Sequence, residues 1–355
     1  MDVQTTPTLV RNAAVLYGID LTLVENASLA FEGGRILGLH AAAPQGAETV
    51  DGSGLLLVPG FIDAHVHIGF AEPIEVLRRG VTTVRDLGWP PRAIFELARR
   101  SRSADFPGPL IVAVGPILTA PGGYPTRAAW APPGTGRELR SRRRARRAVR
   151  ELCEAGVHAV KIALNPPAGP VLDHHTLGAL TAEAHEWERR VTAHVHGLEE
   201  LDKAIDCGVD ELAHMLMSEE ELPDETITRM TAAVMTIVPT LSVRFGSDRE
   251  QAVANLARWR RAGGRVVYGT DLGNDGPRPG IDPLEVRGMA AAGYTTVEIV
   301  RSATSAAAAQ LALVGKGTLD AGMHADVVAV SVDALEDPLQ LADVRMVWRE
   351  GRRIH

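Results

Sequence analysis

The sequence is poor in several kinds of residue, and each shortage excludes a class of protein. Its 355 residues include two cysteines, Cys153 and Cys207, which are too few for a disulfide framework and suit a reducing compartment. The net charge of −7 lacks the positive excess that phosphate contacts need, which argues against nucleic-acid binding. No apolar run reaches the roughly 18 residues of a membrane span, and the amino-terminal segment lacks the pattern of a secretion signal. We therefore expect a cytoplasmic protein with no membrane or nucleic-acid partner.

Lysine is also scarce, because only Lys161, Lys203 and Lys316 among the 37 basic residues are lysines. Arginine is used wherever a positive charge alone is enough, so each lysine is a weak indication that an amine is needed. One basic run, RSRRRARRAV, occupies positions 140–149. Given the overall negative charge, we interpret this run as the solvated face of a helix rather than a nucleic-acid patch.

The order of the predicted elements favours a barrel accompanied by a small β domain. Short β segments separated by Gly-Gly and Asp-Gly turns occupy 1–58. From Pro59 onward, eight apolar strand-like runs alternate with amphipathic helical stretches, which implies parallel pairing through right-handed crossovers. We predict an α/β fold, with a (β/α)8 barrel over 59–315. A pattern typical of β-strands returns over 316–355, so we expect both ends of the chain to build the second domain together.

Residues with metal-binding side chains end five of these predicted strands. In a barrel, side chains at the carboxyl ends of the strands face the active-site mouth. His65 and His67 lie two apart on the first strand, so both imidazoles face the same side. The fourth, fifth, sixth and eighth strands end in Lys161, His194, His214 and Asp271. Neutral imidazole and carboxylate are ligands that zinc and similar divalent metals prefer, so the sequence predicts a metal centre.

Each of these residues also has an ordinary explanation. The His65–His67 pair is a weak motif, since two histidines at a strand end are often satisfied polar residues. A buried His214 can bond to a backbone carbonyl, and Asp271 can serve as a turn or helix-capping residue. Lys161 can extend a buried stem towards solvent. Their joint placement at the mouth of one barrel favours the metal centre over these separate explanations.

The motifs resemble those of the amidohydrolase superfamily of metal-dependent hydrolases. Within it, the sequence is most similar to the imidazolonepropionase-like group, which includes prolidase-type dipeptidases and ochratoxin-hydrolysing amidases. The resemblance covers essentially the whole chain and implies a (β/α)8 barrel plus a β-sandwich made from both termini. It rests on the segments VPGFIDAHVHIG (58–69), GVTTVRDLG (80–88), VKIAL (160–164), TAHVHG (192–197), GVDELAHM (208–215), GTDLG (269–273) and GTLDAGMHADVVAVSVDALEDP (317–338).

The resemblance also implies a role for each ligand around two divalent ions, with zinc expected. His65 and His67 match ligands of the more buried ion, and Asp271 matches a carboxylate that binds the same ion and shuttles protons. His194 and His214 match ligands of the second ion. Lys161 matches a lysine that is carboxylated on its amine and bridges both ions. Two dications would repel a free ammonium, whereas a carbamate supplies two oxygens that bridge ions about 3.5–4 Å apart.

The implied activity is hydrolysis of a C–N bond in a small molecule, such as an amide, a lactam, an N-acyl amino acid or a dipeptide. A hydroxide bridging the metals would attack the carbonyl, and Asp271 would pass its proton to the leaving amine. A one-metal deaminase or a hydrolase that opens a cyclic imide or imidazolone ring is the alternative, and Lys161 argues against it. A metal-free scaffold is disfavoured by the complete ligand set. Tailoring of a secondary metabolite and assembly into a homo-oligomer stay open.

Four further residues are candidate substrate contacts. Related sequences often have a histidine after the paired glycines of the third loop, where this chain has Tyr124, which either bonds the substrate or packs. His196 follows His194 by two positions, so it points inward as well. Arg244 and Arg278 could clamp a carboxylate through a bidentate fork, although solvated arginines are common in so arginine-rich a chain.

Overall fold

The computed structural model describes residues 5–354, and the chain begins with a series of β-strands. The first five are β1 (Thr8–Tyr17), β2 (Thr22–Glu32), β3 (Arg35–Leu39), β4 (Glu48–Asp51) and β5 (Leu55–Pro59).

The middle of the chain alternates strands with helices. Its strands are β6 (Phe61–Val66), β7 (Val81–Asp86), β8 (Leu110–Ala113), β9 (Ile117–Thr119), β10 (Gly136–Glu138), β11 (Ala159–Leu164), β12 (Arg190–Val195), β13 (Glu211–Leu212), β14 (Thr236–Ile237) and β15 (Arg265–Val266). Its helices are α1 (Pro73–Arg78), α2 (Pro91–Ser101), α3 (Arg142–Glu154), α4 (His174–Glu186), α5 (Leu198–Asp206), α6 (Asp224–Ala232), α7 (Gly246–Arg261), α8 (Pro283–Ala291), α9 (Thr296–Ser302) and α10 (Ser305–Gln310). The final strands are β16 (Val327–Ser331), β17 (Val344–Arg349) and β18 (Arg352–Arg353).

Strands from both ends of the chain form one eight-stranded sheet, which we call the terminal sheet. Its order is β18-β17-β16-β5-β1-β2-β3, and β4 pairs with β1. The two ends meet where β16 pairs antiparallel with β5, with Val327 opposite Pro59. The rings of Phe31 and Trp348 pack edge to face at 5.7 Å in its apolar core. This pairing places the first and last strands of the chain in the same sheet.

The strands of the middle section pair in parallel. β6, β7 and β8 form one sheet, and a second sheet has the order β10-β9-β11-β12-β13-β14-β15. Three residues, 114–116, separate β8 from β9 along the chain. Backbone hydrogen bonds also join the segment after β15 to β6, since Ala64 N–H donates to Tyr268 O at 3.0 Å and Asp271 N–H donates to His65 O at 2.8 Å. Parallel strands with intervening helices confirm the predicted α/β class.

The six-residue strands β6, β7 and β11 of the middle section are buried at every position. Parallel strands covered on both faces are normally almost continuous apolar runs. These three instead contain Asp63, His65, Arg85 and Lys161, each at most 2% exposed. A buried polar group is unfavourable unless it is hydrogen-bonded, paired or bound to a ligand. These residues therefore mark where a functional site is expected.

The seventh and eighth strands are shorter than the apolar runs predict. The sequence runs extend over 232–242 and 265–273, whereas β14 and β15 contain two residues each. The reason lies in the hydrogen bonds after β15. Tyr268 N–H donates to Ser302 O, and Thr270 N–H donates to the Asp63 carboxylate at 3.1 Å. The backbone after β15 therefore divides its hydrogen bonds between β6, the Asp63 side chain and the end of α9, so regular pairing with one neighbouring strand stops at Val266.

The basic run at 140–149 begins helix α3, as predicted. The Ser141 side chain caps the helix by accepting from Arg144 N–H. Ala145 and Ala148 are buried, while Arg147 and Arg150 are exposed and pair with Glu151 and Glu183. Within residues 5–354, no helix is long and apolar enough to cross a membrane.

Candidate metal centre

All six predicted ligands line one cavity of about 290 Å³. They lie on or after five strands, with Lys161 in the middle of β11, and each is between 1% and 6% exposed. They are His65 on β6, His67 just after β6, Lys161 on β11, His194 on β12, His214 after β13 and Asp271 after β15. Side chains far apart in the sequence are therefore brought together in one buried place.

His65, His67 and Asp271 form the tightest group of ligand atoms. The Nε2 atoms of His65 and His67 lie 3.2 and 3.3 Å from Asp271 Oδ1. The Nδ1 atom of His65 lies 2.7 Å from the Ala213 carbonyl oxygen, and that of His67 lies 3.0 Å from the Gly88 carbonyl oxygen. A carbonyl only accepts, so each Nδ1 carries a proton, and each Nε2 presents a lone pair when its ring is neutral. Two imidazole lone pairs and a carboxylate oxygen thus converge on one point.

The charges in this group fit a cation at that point. Burial lowers the pKa of His65 well below its usual value, so its ring is neutral. Burial opposes protonation of His67, but the adjacent Asp271 carboxylate and the charge of Asp86 raise its pKa overall. Among residues 5–354, Asp271 Oδ1 has no conventional hydrogen-bond partner. A divalent ion would satisfy this oxygen and both lone pairs, so the three residues fit a metal site.

Asp63 holds the segments that carry these ligands. Its Oδ1 accepts from the N–H groups of His65 and Thr270, both at 3.1 Å, and its Oδ2 accepts from the Thr270 hydroxyl at 2.6 Å. Asp271 itself has a φ of 59°, in the left-handed region that non-glycine residues rarely adopt. Such a conformation persists where surrounding contacts enforce it, and it is common at functional sites. We did not predict a role for Asp63, although it belongs to the FIDAHVH segment.

Lys161 is buried, and no residue within 5–354 forms an ion pair with it. Its Nζ has no hydrogen-bond partner in the described part of the chain. Burial lowers the pKa of Lys161 to about 7, helped by the charge of Arg85 and opposed by Asp271 and Glu211. A large fraction of this amine is therefore neutral near pH 7. A neutral amine is nucleophilic, unlike an ammonium.

A buried ion pair lies beside this lysine. Arg85 donates from Nη2 to Glu211 Oε1 at 2.5 Å and from Nε to the Ala64 carbonyl at 2.7 Å. Gln310 Nε2 donates to the other Glu211 oxygen at 2.6 Å. Burial opposes ionisation of Glu211, but Arg85 and these hydrogen bonds lower its pKa overall. The pair ties β7 to β13 and α10, and sequence patterns gave no signal for it.

His194 and His214 line the same cavity as neutral rings. Their ring centroids lie 4.7 Å apart, and His214 lies 4.7 Å from His65. Burial lowers the pKa of both histidines well below the usual value, with repulsion from neighbouring positive groups adding to the shift. His214 Nδ1 lies 2.8 Å from the Thr240 hydroxyl, and His194 Nε2 lies 3.1 Å from Asn165 Nδ2. Neutral imidazoles beside the first group are suited to a second ion.

The four candidate substrate contacts have different surroundings. Tyr124 lines the cavity, and its ring centroid lies 5.1 Å from that of His194. His196 is half-buried and does not line the cavity. Arg278 is exposed, and only its backbone N–H is bonded, to Asp282.

Arg244 is 3% exposed but does not line the cavity. Its Nη2 donates to the carbonyls of Met215 and Leu216, and its Nη1 lies 3.1 Å from Asp248 Oδ2. These contacts hold the segment after His214 in place. Its neighbours Val243 and Phe245 do line the cavity, as do Asn274 and Asp275. No motif marked these four residues in advance.

Solved structures share this architecture. A Xaa-Pro dipeptidase crystallised with methionine in its active site superposes with a TM-score of 0.82 at 21% identity, covering 98% of this chain and 99% of the other. Ochratoxinase from A. niger gives a TM-score of 0.81 at 20% identity, covering 99% and 96%. These likenesses show the fold.

Curated relatives match only in part. An imidazolonepropionase from Thermoplasma acidophilum is 46% identical over 52 residues, and an adenine deaminase from Bacillus velezensis is 39% identical over 87 residues. The matches cover 15% and 23% of this chain but only 13% and 15% of the relatives' own lengths. The family comparison is far more extensive, since the amidohydrolase family matches residues 56–354. The resemblance predicted from the motifs is thereby confirmed, and the chain belongs to the amidohydrolase family.

Proposed function

We propose that this protein is a two-metal hydrolase that cleaves a C–N bond in a small molecule. The substrates in question are amides, lactams, N-acyl amino acids and dipeptides. One observation carries the proposal: six side chains between positions 65 and 271 line one buried cavity, and two of them, Lys161 Nζ and Asp271 Oδ1, have no conventional hydrogen-bond partner among residues 5–354. Membership of the amidohydrolase family supports it.

Each ligand has a proposed place. His65, His67 and Asp271 would hold one ion, while His194 and His214 would hold the other. Lys161, carboxylated on its neutral amine, would bridge the two, and we expect zinc for its preference for imidazole and carboxylate ligands. Bound divalent ions would supply a water that is acidic near neutral pH and would polarise the scissile carbonyl.

The protein's own side chains would move the protons. Asp271 would take the proton of the attacking water and deliver it to the nitrogen of the leaving amine. Its backbone hydrogen bond to His65 and its left-handed conformation hold the carboxylate between the two imidazoles. Burial and the charge of Asp271 raise the pKa of Tyr124, so its hydroxyl stays protonated and able to donate to the substrate.

The proposal also includes two features of the fold, the closure of the barrel and the composition of the second domain. We propose that the strands of the middle section close into one (β/α)8 barrel over 59–315, with β8 and β9 counted as its third strand and β10 outside it, supported by the hydrogen bonds between 268–272 and β6. We assign 1–58 and 316–355 to one composite β-sandwich domain. The apolar cluster that joins Leu319 and Ala325 to Val10 and Leu29 supports that assignment.

Metal analysis combined with a substrate screen tests the function. We expect about two ions per chain after loading with zinc and bicarbonate, measured by inductively coupled plasma mass spectrometry. Turnover of at least one small amide, lactam or N-acyl amino acid should vanish on chelation and return with zinc. A protein that binds no ion in excess zinc and bicarbonate would refute the proposal.

The second candidate is a one-metal deaminase or ring-opening hydrolase. Within residues 5–354, His65, His67 and Asp271 are the only group of at least three ligand residues whose atoms approach within 4.8 Å of one another. The partial curated matches are to an imidazolonepropionase and to adenine deaminases, which also favours this candidate. One ion per chain, together with activity that survives Lys161→Met, would select it over the two-metal enzyme.

A further inference from the structure

The cavity has a wall beyond the predicted ligands, and this wall limits the substrates that fit. Most of the wall is apolar, formed by Ile117, Met217, Val243 and Phe245. The polar part comes from the loop after β15, where Asn274 and Asp275 lie. A volume of about 290 Å³ is at the small end of ligand pockets, which suits a small molecule.

A continuous run of aromatic rings leads out of the cavity, starting at two predicted ligands. Tyr124 lies 5.1 Å from His194, and Trp130 lies 5.0 Å from His67 and 6.0 Å from Tyr124, measured between ring centroids. Phe70 continues the run at 6.3 Å from Trp130 and is 47% exposed. Such spacings suit edge or offset contacts between rings, so the run can accept another aromatic ring.

Phe245 extends the apolar surface from a different loop. Its side chain lines the cavity and is 61% exposed. A large aromatic group in contact with water is unfavourable, and such groups often mark binding surfaces. Phe70 and Phe245 are therefore suited to cover an apolar part of the substrate near the entrance.

Within residues 5–354, the wall contains no arginine or uncommitted lysine that would pair with a substrate carboxylate. Among the cavity residues in the described range 5–354, Lys161 is the only lysine or arginine, and it is already a proposed ligand. Arg244 is committed to two backbone carbonyls and Asp248, and Arg278 is exposed outside the cavity. Asp275 instead adds a negative charge. Away from the proposed ions, a carboxylate at the loop after β15 would meet the Asp275 charge without a compensating arginine fork.

We propose, resting on the hydrolase function above, that the substrate is an uncharged amide that carries an aryl group and no carboxylate, with Asp275 disfavouring anionic substrates. Water adds across the amide: the C–N bond breaks, the carbonyl carbon gains the oxygen and becomes a carboxylic acid, and the nitrogen gains a proton and leaves as an aryl amine. Within the substrate classes of the proposed function, this selects simple amides over N-acyl amino acids and dipeptides.

A pair of compounds that differ only in charge tests this proposal. Acetanilide and 4-acetamidobenzoate share the ring and the amide, and the second adds a carboxylate. With zinc-loaded protein we expect kcat/KM for acetanilide to be at least about tenfold higher. Binding of the matched products, aniline and 4-aminobenzoate, measured by calorimetry, should show the same order and does not depend on turnover.

Single-residue variants test which side chains cause the preference for acetanilide over 4-acetamidobenzoate. Asp275→Asn removes the charge and keeps the shape, so the acetanilide preference should fall about threefold or more. Asp20→Asn removes an exposed carboxylate on the loop between β1 and β2 and should leave the preference as it is. Phe245→Ala should raise KM for acetanilide about fivefold through lost ring contact.

The outcomes distinguish a failure of the substrate assignment from a failure of the proposed hydrolase function on which it rests. A protein that binds two ions yet binds or cleaves 4-acetamidobenzoate as well as its neutral partner overturns the substrate assignment alone. The substrate assignment is also overturned if zinc-loaded protein binds neither aniline nor 4-aminobenzoate with a dissociation constant below about 10 mM. A preference unchanged in Asp275→Asn removes Asp275 as the discriminating residue. Absence of bound metal refutes the hydrolase function itself.

Discussion

The terminal sheet and the parallel strands of the middle section bury opposite kinds of side chain. In the terminal sheet, Val10, Leu29, Phe31 and Trp348 are fully buried in an apolar cluster. In β6, β7 and β11, equally buried positions hold residues such as Asp63, Arg85 and Lys161. The first arrangement stabilises the fold, whereas the second includes groups whose burial is unfavourable without a partner. The difference separates the scaffold from the site, and it predicts opposite effects of mutation in the two regions.

The largest effect is expected for Lys161→Met. Losing the proposed bridging group should abolish nearly all turnover and release at least one metal ion. The free energy of unfolding of the metal-free protein should rise by about 1–4 kcal/mol, because a packed apolar side chain replaces a buried amine. Activity assays, metal analysis and chemical denaturation measure the three quantities.

Rescue of a smaller variant sharpens this result. In Lys161→Ala, short carboxylic acids such as acetate or propionate should restore part of the turnover by supplying the missing oxygens. Arg301→Met, remote from the cavity and with a side chain that donates to the Asp20 carbonyl, is a matched control that should keep its activity and metal. Normal turnover in Lys161→Met would exclude the bridging role.

Asp271→Asn is expected to have the next largest effect. The amide cannot shuttle a proton, so kcat should fall by about 10²–10⁴-fold. The other ligands are intact, so much of the metal should stay bound. Steady-state kinetics beside metal analysis separate these two expectations, and an unchanged kcat would remove Asp271 from proton transfer.

Trp348→Ala tests the opposite region. Removing a fully buried indole should lower the free energy of unfolding by about 3–5 kcal/mol. Turnover per folded molecule should change little, because the cavity is built elsewhere. Trp348→Phe should lose less than half as much stability, since it keeps an aromatic ring near Phe31 and removes an indole N–H that has no partner within 5–354. A large fall in kcat with folding intact would contradict the separation of scaffold and site.

The smallest effect is a pH dependence set by Lys161. Carboxylation needs the neutral amine, whose fraction falls about tenfold per pH unit below the pKa of about 7. At fixed dissolved CO2, the rate of carbamate formation in metal-free protein should rise steeply up to pH 7 and then level off. An ordinary lysine would keep rising to about pH 10. Nuclear magnetic resonance with 13C-labelled bicarbonate follows the carbamate, and Lys161→Met provides the blank.

Lys161 should also make the free energy of unfolding of the metal-free protein rise with pH. The unfolded lysine holds its proton up to about pH 10.5, whereas the folded one releases it near 7. Between these values the unfolded state binds more protons, so the free energy of unfolding of metal-free protein rises with pH. Lys161→Met should lose this contribution, which denaturation at pH 7 and pH 9 would show.

Sequence patterns were informative where chemistry and periodicity coincide. His65 and His67 stand at the end of an apolar run, and Asp271 follows another, so strand direction alone predicted that they share one edge. The basic run was assigned to the solvated face of a helix because the overall charge is negative, and in α3 its alanines are buried while its arginines are exposed. Strand lengths in the second half were less predictable, since apolar runs do not show where the backbone leaves the sheet to bond to Asp63 or Ser302.

The sequence by itself determined the family, the α/β class and the set of candidate metal ligands, because these depend on residue type and local spacing. Only the tertiary structure decided what surrounds them. The aromatic run from Tyr124 to Phe70, the commitment of Arg244 to backbone carbonyls and the Arg85–Glu211 pair all join residues from different loops or strands. Contacts of this kind arise from packing between distant segments, and no local pattern in the chain encodes them.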